Sequence, residues 1–270
     1  MAAPGSCLAH GPSLSGSDVA LFGSDMHLGD HDPATATLFF QRLEAAWPRA
    51  SHVFLLGDLF EAWVGDDQPD AVAADAQALF ARIGASGRRL YVMRGNRDFL
   101  LDAGSGEPAA PRFAERCGAT MLDDPCLVGL FGEPAVLAHG DALCTDDIDY
   151  QRIRAEIRAP DWRSAFLARP MAERLAFARS ARAESERVKA ARYPSDVNAG
   201  AVDALLREAG ARLLIHGHTH RPACHQWLLD GQTARRWVLP DWDAFDGRGG
   251  FLWADAGGFE TDGWLPASGA

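Results

Sequence analysis

Five short polar runs carry the chemical possibilities of this sequence. They are Asp25-Met26-His27, Gly57-Asp58-Leu59-Phe60-Glu61, Gly95-Asn96-Arg97-Asp98, His139-Gly140-Asp141 and Gly217-His218-Thr219-His220. Each alone is a weak signal; five in one chain are a strong one. Asp, Asn and His with open coordination positions suit Mn²⁺, Fe²⁺ or Zn²⁺, which accept mixed oxygen and imidazole ligands. A D-x-H spacing at a strand end puts both side chains on one face, so Asp25 and His27 can reach one ion. Asp58 has two carboxylate oxygens and can bridge two ions. Two ions about 3.5–4 Å apart can share one hydroxide and clamp a phosphoryl group. Asn96 offers a neutral oxygen, which limits the negative charge facing an anionic substrate. No cysteine stands in these runs, which argues against structural zinc. His216 and His218 form an H-x-H pair that competes with His218 and His220. His10, His31, His52 and His225 lie outside the runs and read as structural or surface residues.

Such residues need rigid elements to aim them. Short apolar segments at 19–23, 52–56, 90–93, 134–138 and 213–215 read as buried strands, each leading into one of the runs. Further strands are expected at 237–239 and 250–254. Helical patterns occupy 34–47 and 69–83, the second ended by Gly84 and Gly87. Strands alternating with helices predict a layered α/β fold, whose sites gather at the carboxyl ends of strands. Residues 150–192 are strand-free and rich in arginine, and read as a helical insertion broken at Pro160 and Pro170. A helix over 198–209 leads back to the sheet. The apolar residues Phe166, Leu167, Met171, Leu175 and Phe177 of the insertion could line a pocket or pack on the body of the fold. The expected organisation is a tail over 1–17, one domain over 18–260 that includes the insertion at 150–197, and a second tail over 261–270.

Composition narrows the class. The 270 residues are 47% hydrophobic and 23% charged, an ordinary globular balance. The formal net charge of −11 makes a general nucleic-acid binder unexpected, because such proteins need basic surface. That charge is uneven. Residues 151–192 hold eleven basic and five acidic side chains, including the sole lysine, Lys189. A basic, amphipathic insertion on an acidic body can face anionic lipid. The five scattered cysteines form no C-x-x-C pattern and read as reduced thiols. The first 17 residues lack the basic and apolar regions of a secretory signal. No apolar run approaches the roughly 20 residues of a membrane span.

In their order, the five runs resemble the calcineurin-like metallophosphoesterases, over roughly residues 19–259. The resemblance implies an α/β fold, a four-layer αββα metallophosphoesterase sandwich with a helical cap insertion, and a dinuclear site. It implies Asp25, His27, Asp58 and His220 for one metal, and Asp58, Asn96, His139 and His218 for the other. The family's G-H-x-H pattern favours His218 and His220 over His216. Many members carry a histidine after G-N, thought to protonate an alkoxide leaving group. Arg97 stands there in this chain. A phosphate leaving group, with a second pKa of about 6, departs without a proton. Arginine cannot act as an acid near neutrality but grips phosphate oxygens bidentately. Arg97 therefore points to a pyrophosphate; the plain alternative is an arginine paired with Asp98.

The flanking runs S-D-M-H-L, G-D-L-F-E-A-W-V-G-D-D, G-N-R-D-F-L, H-G-D-A-L-C-T-D-D-I-D-Y and I-H-G-H-T-H-R-P resemble the UDP-2,3-diacylglucosamine pyrophosphatase family of lipid A biosynthesis. That resemblance implies cleavage to UMP and 2,3-diacylglucosamine 1-phosphate with two Mn²⁺ ions, water attacking the α-phosphate. It implies Asp58, Asn96, Arg97 and His139 for catalysis. For substrate it implies Asn96, Arg97, Asp147, Tyr150, Ser185, Lys189, Arg192 and His218. It also implies a peripheral place on the cytoplasmic side of the inner membrane of a Gram-negative cell; a monomer is expected. Pro240 departs from the pattern, standing before Asp241-Trp242 where glycine is expected. The alternative is a pyrophosphatase or phosphodiesterase for a soluble nucleotide, which would need no apolar pocket. A protein-binding module without activity should lack ligands, and all seven positions are filled here.

Overall fold

The computed structural model describes residues 8–105, 110–191, 196–262 and 264. Twelve strands are found among them: β1 (Ala9–Leu14), β2 (Ala20–Gly23), β3 (His52–Leu56), β4 (Arg89–Met93), β5 (Ala119–Leu122), β6 (Cys126–Leu130), β7 (Glu133–Leu137), β8 (Leu213–His216), β9 (Ala223–Leu229), β10 (Gln232–Val238), β11 (Leu252–Asp255) and β12 (Gly258–Thr261). The α-helices are α1 (Pro33–Ala46), α2 (Ala71–Ala85), α3 (Phe113–Cys117), α4 (Ile148–Ile157), α5 (Pro160–Leu167), α6 (Met171–Ala191) and α7 (Ala199–Ala209). One sheet runs β12-β11-β2-β3-β4-β5, with β2 to β5 parallel. The other runs β1-β6-β7-β8-β10-β9 and mixes parallel and antiparallel pairs.

The continuous apolar runs are explained by burial on both faces. Side chains alternate across a strand. Leu21, Val53, Leu55, Leu90 and Val92 face outward to the helices, in a core shared with Phe39, Leu43, Phe80, Ile83 and Phe113. Their neighbours Phe22, Phe54, Leu56, Tyr91 and Met93 face inward, where they meet Leu137, Ile215 and Leu252 between the two sheets. On the far side, Val202 and Leu206 of α7 pack against Val136 and Leu214. Helix, sheet, sheet and helix make the four-layer αββα sandwich that the motifs implied. Local chemistry starts the helices: the carboxylates of Asp32 and Asp70 and the amide of Asn198 accept from the backbone N–H groups of Thr35, Ala73 and Ala201.

Several boundaries differ from the expected ones. The segment over 9–14 is not a tail. It is β1, paired in parallel with β6, and Leu14 is buried between the sheets. Trp264 lies beyond the expected domain end, yet its indole N–H donates to the Phe251 carbonyl at 2.8 Å and its ring meets Trp237. Helix α2 runs through Gly84, where the Cys117–Gly118 backbone packs so closely that there is no room for a Cβ. In the insertion, Pro160 starts α5 and Pro170 directly precedes α6, as the breaks predicted. Phe166 is fully buried in the outer core, and Trp162, Met171 and Leu175 pack against it. Phe177 stays partly exposed. The cap thus divides its apolar residues between the body of the fold and its own surface.

Candidate metal centre

The five runs converge at the carboxyl ends of β2, β3, β4, β7 and β8. Backbone hydrogen bonds lock the first two together: Asp25 N–H donates to Gly57 O at 3.1 Å, and His27 N–H to Asp58 O at 3.0 Å. Asp25, His27, Asp58, His218 and His220 all have positive φ, between 49° and 68°. Left-handed backbone costs a non-glycine residue roughly 1–2 kcal/mol. Five such residues at one place mark a site whose surroundings hold them against that cost. Gly57, at φ +88°, permits a close approach: a Cβ there would sit 2.5 Å from His139 Nδ1.

Two groups of side chains result. Asp25, His27 and His220 form one, and Asp58, His139 and His218 the other. Within each group the ligand atoms lie within 4.8 Å of one another. His27 Nε2 faces His220 Nε2 at 3.3 Å, and His220 Nε2 is 3.5 Å from Asp25 Oδ1. Asp58 lies between the groups, its Oδ1 3.6 Å from His139 Nε2 and its Oδ2 4.0 Å from His27 Nε2. Asn96 Oδ1 is 3.0 Å from His139 Nε2 and joins the second group. These donors fit a pair of divalent cations. All are oxygen or imidazole nitrogen, and Asp25 Oδ1 is buried with no hydrogen-bond partner of its own. The competing His216 belongs to neither group; its Nδ1 lies 2.8 Å from the Gly217 carbonyl oxygen.

Electrostatics follow from burial and crowding. Burial alone would raise the Asp25 carboxyl, but the close approach and charge of His220, with the charges of His139 and His27, hold it well below the ordinary range. Burial opposes charge on His139, yet Asp58, Asp25, Asp141 and Asp124 push it up to about 9. Burial, then the charge of His139, press His218 down to about 4. Asp98 is raised to about 6 by burial and by Asp58. It accepts from the backbone N–H groups of Gly95 and Leu59, at 2.6 and 2.8 Å, and so shapes the loop that presents Asn96. Arg97 donates its backbone N–H to Asp58 Oδ1 at 2.8 Å, and its guanidinium lies 3.6 Å from Glu61 Oε1.

The predicted substrate residues are less uniform. Asp147 caps α4, its Oδ1 accepting from Tyr150 N–H at 3.1 Å. The Tyr150 ring stacks on His218 with centroids 6.3 Å apart, and its hydroxyl donates to Asp141 Oδ2 at 2.6 Å. Ser185 and Lys189 belong to α6, but their side chains, and all of Arg192, lie outside the described residues. Despite Pro240, Leu239 N–H donates to His216 O, Trp242 N–H donates to Asp25 O, and Asp241 Oδ2 comes within 3.5 Å of His220 Nδ1.

Supporting residues were not assigned from the sequence. Glu61 lies 3.1 Å from His27 Nδ1. Asp141 gathers Tyr150, Arg154 and Arg158. Ser24 Oγ donates to Asp25 Oδ2 at 2.6 Å. Glu61, Asp141 and Ser24 stand inside the quoted runs, so their place there was the available signal; Asp241 had none beyond its neighbours.

Comparison with known proteins adds to this geometry. The sequence model of the calcineurin-like phosphoesterases matches residues 20–222. The chain is 49% identical over 243 residues to the UDP-2,3-diacylglucosamine hydrolase of Chromobacterium violaceum, covering 89% of this chain and 96% of that protein. It is 44% identical over 244 residues to the protein of the same name from Bordetella pertussis, covering 88% and 92%. A third such hydrolase, from Stenotrophomonas maltophilia, is 43% identical over 254 residues, covering 90% and 98%.

Proposed function

This chain belongs to the calcineurin-like phosphoesterase family, and on that premise we propose that it hydrolyses the pyrophosphate bond of UDP-2,3-diacylglucosamine to UMP and 2,3-diacylglucosamine 1-phosphate. The relatives named for this substrate align over nearly the whole chain, and that observation carries the proposal. The two ligand groups at the strand ends support it.

We assign Asp25, His27, Asp58 and His220 to one metal, and Asp58, Asn96, His139 and His218 to the other, with Mn²⁺ as the ion. Two bound cations would supply Lewis acidity toward phosphoryl oxygens and an activated water. Asp58 suits a bridging place because its two oxygens face different groups. Asn96 brings an oxygen to the second group without a charge that would repel the diphosphate. Arg97 stands beside it, where a guanidinium can hold phosphate oxygens as their charge grows. Its constant charge suits a leaving phosphate that needs no proton. Tyr150, through its stack on His218, belongs to the wall on the cap side. Asp147, Ser185, Lys189 and Arg192 are assigned to the sugar and nucleotide by resemblance.

The cap supports the choice of a lipid over a soluble nucleotide. Ile148, Ile153 and Phe177 are large apolar residues left exposed on α4 and α6. No helix of the described residues is long and apolar enough to cross a membrane. A monomer that works peripherally at the cytoplasmic face of the inner membrane, with its basic cap toward the lipid, fits both features.

Hydrolysis in heavy-oxygen water tests the reaction. Attack at the α-phosphorus forms the new P–O bond on the uridine side and breaks the bond to the bridging oxygen, which leaves with the lipid phosphate. The label is expected in UMP; a label confined to the lipid phosphate would refute this course.

A further inference from the structure

We infer that Glu61 is a positioning residue that sets the orientation of His27 and the aim of Arg97 through one carboxylate. This rests on the metal assignment above. Glu61 ends the second motif, and its segment is laid along the strand end that carries His27. Leu28 N–H donates to Leu59 O at 2.8 Å, and Glu61 N–H donates back to Leu28 O at 3.0 Å. The backbone of Glu61 is thereby fixed relative to His27.

The side chain is nearly buried, at 13% exposure, and its two oxygens serve three partners. Oε2 lies 3.1 Å from His27 Nδ1. Oε1 lies 3.6 Å from the Arg97 guanidinium and 3.2 Å from Arg182 Nε of α6. The Glu61 carboxylate, 3.1 Å away but off hydrogen-bond geometry, favours a proton on Nδ1 by its charge, which leaves the Nε2 lone pair for the centre. Nε2 does face inward, toward His220 and Asp58. His139 and His220 are oriented in the same way, their Nδ1 atoms 3.0 Å from Leu56 O and 3.5 Å from Asp241 Oδ2. Glu61 differs in that its other oxygen turns to the guanidinium assigned to the substrate phosphates and to a guanidinium of the cap. A single carboxylate thus sets the spacing between a metal ligand and a phosphate-binding group.

Calorimetric titration of Mn²⁺ into metal-free protein reads the first effect without substrate. Removal of such an outer partner typically weakens metal binding about 10–100-fold, and that is the expected loss for Glu61→Ala. Glu61→Gln keeps an oxygen toward Nδ1 and should stay within about fivefold of wild type. The second effect is read from turnover. Glu61→Gln should lower kcat more than it changes KM, and should add little to Arg97→Ala in a double-mutant cycle. Folded Glu61→Ala protein that binds Mn²⁺ like wild type would overturn the inference. So would Glu61→Gln protein with wild-type kcat, or losses from Glu61→Gln and Arg97→Ala that multiply as independent; these arms hold even where Glu61→Ala does not fold. Wild-type protein that binds no Mn²⁺ would overturn the metal assignment as well, which separates the two failures.

Discussion

Replacing Asp141 with asparagine removes a buried charge that fastens the cap to the fourth motif. Its Oδ2 accepts from Tyr150 Oη at 2.6 Å, Arg154 Nε at 2.8 Å and Arg158 at 3.2 Å. The Asp141 side chain is fully buried, while those of Arg154 and Arg158 are 19% and 23% exposed. Arg158 also donates to Gly95 O at 3.0 Å, next to Asn96. Hydrogen bonds to a charged group contribute about 1.5–3 kcal/mol each, but asparagine keeps one accepting oxygen and the arginines reach water. A net loss of about 2–4 kcal/mol is therefore expected, below the simple sum of three bonds. For a chain of this size, that lowers the unfolding midpoint by roughly 5–12 °C. Thermal unfolding followed by circular dichroism measures it, with turnover assayed below the transition. Turnover should fall too, because Tyr150 stacks on His218. A midpoint within about 1 °C of wild type would refute the strut role of Asp141.

Two further substitutions probe separate parts of the account. Arg174, buried on α6, grips Asp67 with two bonds of 2.8 and 2.6 Å and donates to Val64 O at 2.7 Å. That grip holds the Asp67 carboxyl below its ordinary range. Its stabilising effect is therefore present above about pH 4 and lost as the pH falls further. Asp67→Asn should cost about 1–2 kcal/mol near neutrality, since Asp67 is partly exposed, and the gap to wild type in urea unfolding should narrow on acidification; a gap independent of pH would contradict this. Arg97→Ala should lower kcat about 100-fold or more with a smaller change in KM, as for other groups that meet charge in the transition state. A rise in KM alone would show that Arg97 binds the ground and transition states equally and gives no extra hold on the growing charge.

The legible part of the fold was the part where burial left no choice. The runs at 52–56 and 90–93 are apolar on both faces because helices cover one side and the second sheet the other. Strand β1 was hidden, since His10, Gly11 and Pro12 break any apolar pattern and only Leu14 is fully buried. Strand β12 exposes alternate residues and β9 has only Leu229 fully buried, so both gave equally little signal. At the site, the ligand candidates stood out by residue type. Their left-handed backbone did not, because Asp and His, although enriched at positive φ, mostly adopt negative φ, so residue type alone does not single out these positions. The roles of Glu61, Asp141 and Asp241 come from tertiary contacts: each works by facing a residue from another segment. Arg97 faces Glu61, and Asp98 accepts from backbone N–H groups, which the motif alone could not distinguish from a simple pair between neighbours.

Metal-dependent cleavage of a diacylated UDP-sugar is measured directly by release of UMP. Metal-stripped protein is assayed with and without Mn²⁺, on UDP-2,3-diacylglucosamine and on UDP-N-acetylglucosamine, which lacks the long acyl chains. UMP release should require the added metal and be far faster with the diacylated substrate. Release without metal, or equal rates on the two substrates, would contradict it.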